Sequence, residues 1–494
     1  MREAEFTVDV VVVGAGAAGL ACALQAARGG ARVLVVEKDR RLGGTLHLSG
    51  GHLAAAGPRR QRAAGIEDSV EAHRADIDRI SHGTARTDLR DLVTAHAAET
   101  IDWLDERGFA FAPETPRIVY GHEPYGTART YYGVDEGMSI LSVLEAEVAA
   151  CQAEGDLEIW LDSPVTELIE LIEGEPGADA GAGAGVGVSG VRVLRSGREV
   201  AVSAGSVVIA TGGYAGDAEL FEELEGAPLV SAGARTSTGD GLHLGLSVGA
   251  RLQGAGTYLP TFGGLPDPTS PGRANWNDRQ RLTAERPPAE IYVDAAGQRW
   301  VAEDEESIDE KERALIGVSA QTFWTIFDDA ALELASGGTR QIVVGAEPDD
   351  VRRMCNTRPG VHAADSLEEL ASAAGIDVAG LAATVERYNG YVDAGADPEF
   401  GRTHLPSRIE HGPFYAIRNH AITLVTFQGL DIDAGCAVVA ESGETIPGLF
   451  AVGEVIGAGA TCGNSFCSGM MLTPALTLGR LLGTHLAEFR VHHR

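Results

Sequence analysis

A nearly continuous run of valines at residues 8–13 leads directly into the glycine pattern GAGAAG at residues 14–19. A stretch with helical periodicity follows, and a second apolar run at residues 32–36 ends in Glu37. This order predicts a β-α-β unit whose glycines allow the backbone to approach a pyrophosphate at the N-terminus of the helix. Glu37 would then accept hydrogen bonds from the hydroxyl groups of an adenosine ribose. The alternative is a tight strand-to-helix turn that binds no ligand.

The length and charge of the chain limit what else it can be. Its 494 residues are enough for about three folding units. The formal net charge of −32 at pH 7 opposes binding to nucleic acid and to anionic membrane surfaces. No basic segment precedes an apolar stretch at the N-terminus, and no apolar run reaches about 18 residues. We therefore expect a cytoplasmic protein with neither nucleic-acid nor membrane partners.

The cysteines give no sign of a metal centre. None of them has the CxxC, CxxCH or iron–sulfur spacing, so neither a zinc site nor a disulfide framework is indicated. We therefore expect reduced thiols and no bound metal. The six positions are Cys22, Cys151, Cys355, Cys436, Cys462 and Cys467.

The pattern of elements predicts an α/β fold with a discontinuous Rossmann-like domain. Prolines become frequent between residues 260 and 288, and a charged stretch follows at 303–313. The last strand pattern, residues 449–452, resembles the early parallel strands and turns at Gly453 and Glu454. We therefore predict a first part of the nucleotide-binding domain at 1–250, an inserted α+β cap domain at 251–360, and the return to the first domain at 361–494.

One segment has low complexity. Residues 173–190 consist mainly of Gly and Ala and lie between strand-like residues 165–168 and 191–194. This composition predicts a flexible tip between two strands of a hairpin.

Motifs spread over nearly the whole chain resemble one flavoprotein family. That family includes the fumarate reductase and succinate dehydrogenase flavoprotein subunits and the 3-ketosteroid dehydrogenases. The segments that carry the resemblance are VVVGAGAAGLACA near the start, GGTLHLSGG at 43–51, VVIATGGYAGD at 207–217, TGDG at 238–241, GQRWVAED at 297–304, VERYNGY at 385–391, PFYA at 413–416 and IPGLFAVGEVIG at 446–457.

The resemblance implies a bound FAD between the two domains. The position of the histidine that is joined to the flavin in membrane-bound members corresponds to Gly44 here, so the resemblance implies non-covalent FAD. The residues it assigns to the cofactor are Gly14, Gly16, Ala17, Ala18, Gly19, Glu37, Lys38, Gly43, Gly44, Thr45, Ser49, Gly50, Gly51, Val165, Ala210, Thr211, Gly212, Asp240, Gly453, Glu454, Met471 and Leu472.

Three departures from the family pattern concern its dicarboxylate site. The position of the proton-donating arginine of the cap corresponds to Ser307, and that of the arginine in the C-terminal loop to Phe466. The histidine of a third segment corresponds to Val425. These differences predict that the substrate is not a dicarboxylate. The apolar residues of the C-terminal loop instead suggest an uncharged or apolar small molecule.

The tail at residues 469–479 resembles that of the ketosteroid dehydrogenases. Our main hypothesis is therefore a dehydrogenase that introduces an α,β double bond into a cyclic ketone, with a base for the α-proton and the flavin as hydride acceptor. The backbone N–H of Gly469 would bind the carbonyl oxygen. The candidates for the base are Tyr131, Tyr132, Tyr258 and Tyr292, although for any one of them a packing role, with its hydroxyl bound to the backbone, is the simpler explanation.

Two other functions stay open. The first is a flavin-dependent ene-reductase that saturates an activated alkene, which is the reverse reaction. The second is a flavin-binding protein without redox turnover, as sensor or scaffold. The dehydrogenase would also need an external electron acceptor as a partner.

Overall fold

The computed structural model describes residues 6–171, 187–281 and 286–492, and two β-sheets organise them. The described strands are β1 (Phe6–Val13), β2 (Val33–Val36), β3 (Leu53–Ala54), β4 (Thr130–Tyr131), β5 (Leu157–Trp160), β6 (Val165–Glu170), β7 (Val188–Arg195), β8 (Arg198–Ile209), β9 (Leu252–Gln253), β10 (Thr261–Pro266), β11 (Ala274–Arg279), β12 (Ile291–Val293), β13 (Thr322–Asp328), β14 (Val361–Ala364), β15 (Phe414–Ile422), β16 (Gly429–Leu430), β17 (Ala437–Val439) and β18 (Thr445–Ala451).

Helices cover both sheets. They are α1 (Ala17–Arg28), α2 (Arg59–Ala63), α3 (Val70–Ile80), α4 (Thr87–Glu106), α5 (Glu136–Glu154), α6 (Ala218–Glu225), α7 (Asp240–Ser247), α8 (Ile308–Ile316), α9 (Asp329–Leu334), α10 (Pro348–Met354), α11 (Leu367–Ala374), α12 (Val378–Ala394), α13 (Gly459–Cys462) and α14 (Leu472–His492). Among the described residues, none of these helices has the length and apolar character needed to cross a membrane.

The first sheet has the strand order β17-β18-β8-β1-β2-β5. Strands β18, β8, β1, β2 and β5 run parallel, because α1 and the longer connections return the chain to the same end of the sheet. In this sheet β1 lies between β2 and β8. The chain passes from β1 to β2 on one side of β1, and the later strands β8 and β18 are added on the other side. This reversal of strand order at β1 is the point where doubly wound folds bind their ligands.

The predicted hairpin belongs to the edge of this sheet. Strands β6 and β7 pair antiparallel, and β7 continues antiparallel onto β8. The predicted strands on both sides of the low-complexity segment are therefore confirmed, whereas residues 172–186 lie outside the described residues.

The second sheet is antiparallel and has the order β11-β10-β15-β13-β12, with β14 paired to β15. Alternate residues of β15 face different cores, as the two-residue period of a strand requires. Phe414 and Ala416 pack with α11 and α12, whereas Tyr415 and Ile417 pack with α9 and α10. The α/β fold with an inserted second unit is thus confirmed.

The second unit extends further along the chain than the sequence indicated. The predicted boundary at residue 360 falls inside this unit, because β14 and β15 pair with its central strands. Helices α11 and α12 also pack against β12 and β13. The chain returns to the first unit only after Ile422.

A buried ion network joins distant segments of the second unit. Arg299 donates to Glu303 and to Asp397 over 2.6 and 2.8 Å, and Arg402 donates to Glu303 over 3.0 Å. All four side chains are shielded from solvent. The ring of Tyr388 lies 5.2 Å from the Arg402 guanidinium. Through Arg299 and Glu303, the motif RWVAED therefore connects distant segments of the second unit by buried ion pairs.

We expect Arg402→Met to lower the free energy of unfolding by about 3–5 kcal/mol, because it removes one partner of a buried carboxylate. The matched control is Arg408→Met, which removes an arginine paired with Asp393 and Glu410 on the surface. Pairs of that kind contribute little. Urea denaturation measures both variants, and equal losses would contradict the role of the network.

Candidate active site

A large cavity lies where the two units meet. Its volume is about 1520 Å³, which exceeds the roughly 300–1000 Å³ of an ordinary small-molecule pocket. The ends of β1 and β8 line one part, and β10, β11 and α8 line the other. The cavity therefore has room for a dinucleotide and for a second, smaller ligand.

The turn after β1 has no room for side chains at two of its glycines. Gly14 has a φ of +106°, and a Cβ at this position would collide with the carbonyl oxygen of Ala210. A Cβ at Gly19 would collide with the carbonyl oxygen of Gly14, so the helix packs directly on the turn. In contrast, a Cβ at Gly16 would have no atom within 4 Å, because this residue faces the cavity.

Glu37 stabilises the same turn. Its Oε2 accepts the Ala15 N–H over 2.7 Å, and its Oε1 accepts the Asp39 N–H over 2.8 Å. The neighbouring Lys38 donates to Thr238 and Asp240, each over 2.6 Å. Glu37 thus follows β2 directly at the cavity, and Lys38 connects the end of β2 to the start of α7.

Most residues that the sequence assigned to the cofactor share this cavity. They are Gly14, Gly16, Ala17, Ala18, Glu37, Lys38, Gly43, Gly44, Thr45, Ser49, Gly50, Ala210, Thr211, Gly212, Gly453, Glu454, Met471 and Leu472. Four others lie outside its lining. Gly19 supports the turn, a Cβ at Gly51 would meet the backbone of Glu136, Asp240 pairs with Lys38, and Val165 begins the edge strand β6.

Glu454 lies in the cavity wall directly after β18. Its Oε1 accepts hydrogen bonds from the N–H and the hydroxyl of Thr426, over 2.9 and 3.1 Å. Burial raises the pKa of this carboxyl group above its ordinary value. The two hydrogen bonds from Thr426 therefore fix the Glu454 carboxyl group beside the ends of the parallel strands.

The opposite part of the cavity is basic. Arg279 lines it together with His122, His52 and Arg117. Burial and the adjacent Arg281 lower the pKa of Arg279 to about 10. Burial, together with His52 and Arg279, lowers the pKa of His122 to about 4, and burial and Arg117 lower that of His52. This end therefore holds two guanidinium groups and two imidazoles whose neutral form is favoured, and the Glu114 carboxylate lies near Arg117.

Apolar side chains adjoin the basic end. Phe262, Val425 and Ile308 line the cavity, and the ring of Phe466 stacks on His122 with 4.9 Å between centroids. Within the part of the chain that the structure describes, Nδ1 of His122 is buried without a hydrogen-bond partner. The arrangement can bind an apolar body that ends in an anionic or hydrogen-bonding group.

One acidic side chain faces this apolar region. Glu312 lies on α8, and only 2% of its surface is exposed to solvent. Its Oε1 accepts a hydrogen bond from the Phe262 N–H over 3.2 Å. Burial raises the pKa of the Glu312 carboxyl group well above its ordinary value. Burial therefore favours the protonated form of this carboxyl group.

The structure does not favour a tyrosine base. Of the four candidates, Tyr132 lines the cavity, whereas Tyr131, Tyr258 and Tyr292 lie outside its lining. Burial raises the pKa of all four phenols, although a base would need a lowered value. The Tyr132 hydroxyl also donates to Glu114 over 2.6 Å. The physical reason is that burial outweighs the nearby arginines, which lower the pKa of Tyr131, Tyr132 and Tyr292 by less than burial raises it.

Gly469, the other predicted catalytic residue, packs against the backbone of β3. Gly469 is outside the cavity lining, and a Cβ there would collide with the backbone at Leu53 in β3. Its role as a carbonyl-binding N–H stays a prediction. Ser307 caps α8, because its hydroxyl accepts the Glu310 N–H over 3.2 Å and donates to Glu123 over 2.9 Å.

Comparison with known families identifies the cofactor of the protein. The model of the family described as "FAD binding domain" matches residues 9–470. The chain belongs to this family. It therefore binds FAD, and the resemblance found in the sequence is confirmed.

Characterised relatives cover nearly the whole chain. The fumarate reductase (cytochrome) of Shewanella frigidimarina is 28% identical over 498 residues, spanning 98% of this chain and 77% of that protein. The urocanate reductase of Eggerthella lenta is 29% identical over 491 residues, spanning 97% and 74%. The 3-ketosteroid Δ4-(5α)-dehydrogenase structure from Rhodococcus jostii RHA1 has a TM-score of 0.70 and 25% identity, spanning 99% and 98%. The protein is an FAD-dependent oxidoreductase.

The described residues fit this cofactor. The turn at Gly14 offers a cradle that a side chain would fill, and Glu37 closes the adjacent strand at the cavity. Gly44, where the family can carry the covalent histidine, begins a short 3₁₀ helix in the lining. Bound FAD supplies hydride transfer. Non-covalent attachment stays a prediction.

Sequence reasoning missed the basic end and Glu312. A lone histidine such as His122 carries no motif, and Arg279 follows a run of residues without clear periodicity. The alternating charges at residues 303–313 do contain a signal. Ile308 and Glu312 are one helical turn apart and are both in the cavity lining, so a helical projection would have placed them on one face.

We expect Gly14→Ala to reduce FAD retention at least tenfold, because the added methyl group would displace the end of β8 from the turn. The control is Gly390→Ala in α12, where a Cβ would have no atom within 4 Å. The ratio of flavin to protein absorbance after gel filtration measures retention. Full occupancy in Gly14→Ala would contradict the pyrophosphate cradle.

Proposed function

We propose that the protein reduces a carbon–carbon double bond conjugated to a carboxylate or similar carbonyl group, with reduced FAD as hydride donor. The substrate carries an apolar body. The observation that carries this proposal is the basic end of the cavity, where Arg279, His122, His52 and Arg117 adjoin an apolar wall. An anionic head group and an apolar body would each find a matching surface there.

The basic end serves both binding and reaction. A guanidinium group forms charge-assisted hydrogen bonds with a carboxylate, and neutral imidazoles add further donors. Addition of hydride to the β-carbon shifts negative charge onto the carbonyl oxygen. Cations positioned at that oxygen stabilise the transition state more than the ground state. The predicted uncharged ligand does not account for these basic side chains.

Two considerations favour reduction over the dehydrogenation of a ketone. A dehydrogenase needs a base for the α-proton, and the four candidate phenols all have raised pKa values. The relatives named above reduce fumarate and urocanate, which are both alkenes conjugated to a carboxylate. A substrate with one such group agrees with the predicted absence of a dicarboxylate clamp at Ser307, Val425 and Phe466.

Anaerobic flavin spectroscopy tests the direction. We expect chemically reduced protein to be reoxidised by cinnamate, with formation of the saturated acid, and oxidised protein to stay unbleached by saturated cyclic ketones or steroids. Bleaching by a ketone alone would support the dehydrogenase instead. If no compound changes the flavin, the non-catalytic hypothesis gains support.

We expect Arg279→Gln to raise KM for cinnamate at least tenfold, which corresponds to about 1.4 kcal/mol of binding. Its effect on the methyl ester should be smaller, because the ester has no charge to lose. Arg198→Gln, at an exposed position of β8, is the control. Steady-state kinetics with both substrates measures the difference, and equal changes for acid and ester would contradict a carboxylate contact.

A further inference from the structure

We propose that Glu312 is the proton donor of this reaction and protonates the carbon next to the carbonyl group. The inference rests on the proposed function. It assigns to α8 the chemistry that the family pattern would place at Ser307, where this chain has a helix cap instead.

The position of Glu312 meets the first requirement for a donor. Ile308 and Glu312 lie one turn apart on α8 and are both part of the cavity lining. Phe262 forms the adjacent wall, and its N–H binds Oε1 of Glu312 over 3.2 Å. One carboxyl oxygen is thus held by the backbone of β10. The carboxyl group lies at the apolar wall, where the body of the substrate would bind.

The next residue on α8 fixes the helix to the C-terminal loop. Arg313 donates to the backbone oxygen of Asn464 over 3.0 Å and to the Ser465 hydroxyl over 2.7 Å. Ser465 in turn donates to Asp309 over 2.6 Å. Because the loop also carries Phe466, this clamp sets the orientation of Glu312 relative to the substrate region.

The surroundings of Glu312 favour its protonated form, which a proton donor requires. The other charged groups on its own helix are Asp309, Glu310, Lys311 and Arg313, and Tyr258 faces it from the first unit. Burial is the largest influence and raises the pKa of Glu312, whereas Lys311 and Arg313 lower it. The net shift is upward, which favours a carboxyl group that carries its proton.

Other groups at this end are poorer donors. His52 and His122 have lowered pKa values and are neutral at pH 7. The Tyr132 hydroxyl is already engaged with Glu114. Arg279 keeps its charge at neutral pH, and an arginine releases a proton only with great difficulty.

The reaction balances with this donor. Bound reduced FAD would supply the hydride, two electrons and one hydrogen, that the β-carbon receives, and would be left oxidised. The carbon–carbon π bond breaks, and the α-carbon forms a bond to the proton of Glu312. The resulting carboxylate regains a proton from solvent, and an external electron donor reduces the FAD for the next cycle.

The test compares Glu312→Gln with Glu310→Gln, which removes an exposed carboxylate from the same helix. We expect Glu312→Gln to slow cinnamate reduction about 10²–10⁴-fold, with unchanged FAD content and unchanged reduction of the flavin by dithionite. Glu310→Gln should behave as the unaltered protein. If the unaltered protein reduces no conjugated alkene, the proposed function fails. If it does and Glu312→Gln keeps its rate, only the donor assignment fails.

Two further measurements do not depend on the rate alone. Infrared spectroscopy at neutral pH should show a protonated-carboxyl band that Glu312→Gln lacks and Glu310→Gln keeps. In the unaltered protein the reduction rate should fall as pH rises through the pKa of Glu312, and this decline should be absent from the residual rate of Glu312→Gln. A decline that persists in Glu312→Gln and disappears in Arg279→Gln would overturn the proposal in favour of Arg279.

Discussion

The close approach of Gly14 to Ala210 is the constraint on which the rest of the structure depends. It joins the ends of two adjacent parallel strands, β1 and β8, at the reversal point of the strand order. A side chain at Gly14 would force the strands apart, and a side chain at Gly19 would lift α1 from the turn. Because both are glycines, the helix N-terminus, the strand ends and the cavity meet at one place. The FAD site follows from this packing.

The second unit completes the site. Its sheet is stabilised by its own buried cores and by the ion network around Glu303. This packing holds α8 and β10 in position as one wall of the cavity. Contacts from Arg313 to the loop at Asn464 and Ser465 connect that wall to the first unit. The cofactor side is built from backbone and small residues, which suits phosphate binding. The substrate side is built from arginine, histidine, glutamate and apolar side chains, which suits recognition and proton transfer.

Local sequence patterns predicted the parts of the molecule that local interactions determine. The β-α-β unit, the strands around the low-complexity segment and most of the cofactor residues in the cavity follow from periodicity, glycine spacing and family motifs. The boundary at residue 360 could not be placed in this way, because β15 belongs to the second sheet only through pairing with distant strands. The tyrosines show the same limit, since a phenol in a sequence gives no information on its burial. Glu312 could not be singled out within the charged stretch at 303–313, because the sequence does not show which face of α8 lines the cavity.

The central claim is that one cavity holds FAD against a substrate whose carboxylate lies at the basic end and whose α-carbon faces Glu312. A crystal structure of the oxidised protein with FAD and the saturated product acid, hydrocinnamate, tests it most directly. The account predicts the carboxylate on Arg279 and His122, with the α-carbon between the flavin ring and Glu312. An acid bound elsewhere, or a flavin that fills the space in front of Glu312, would contradict it.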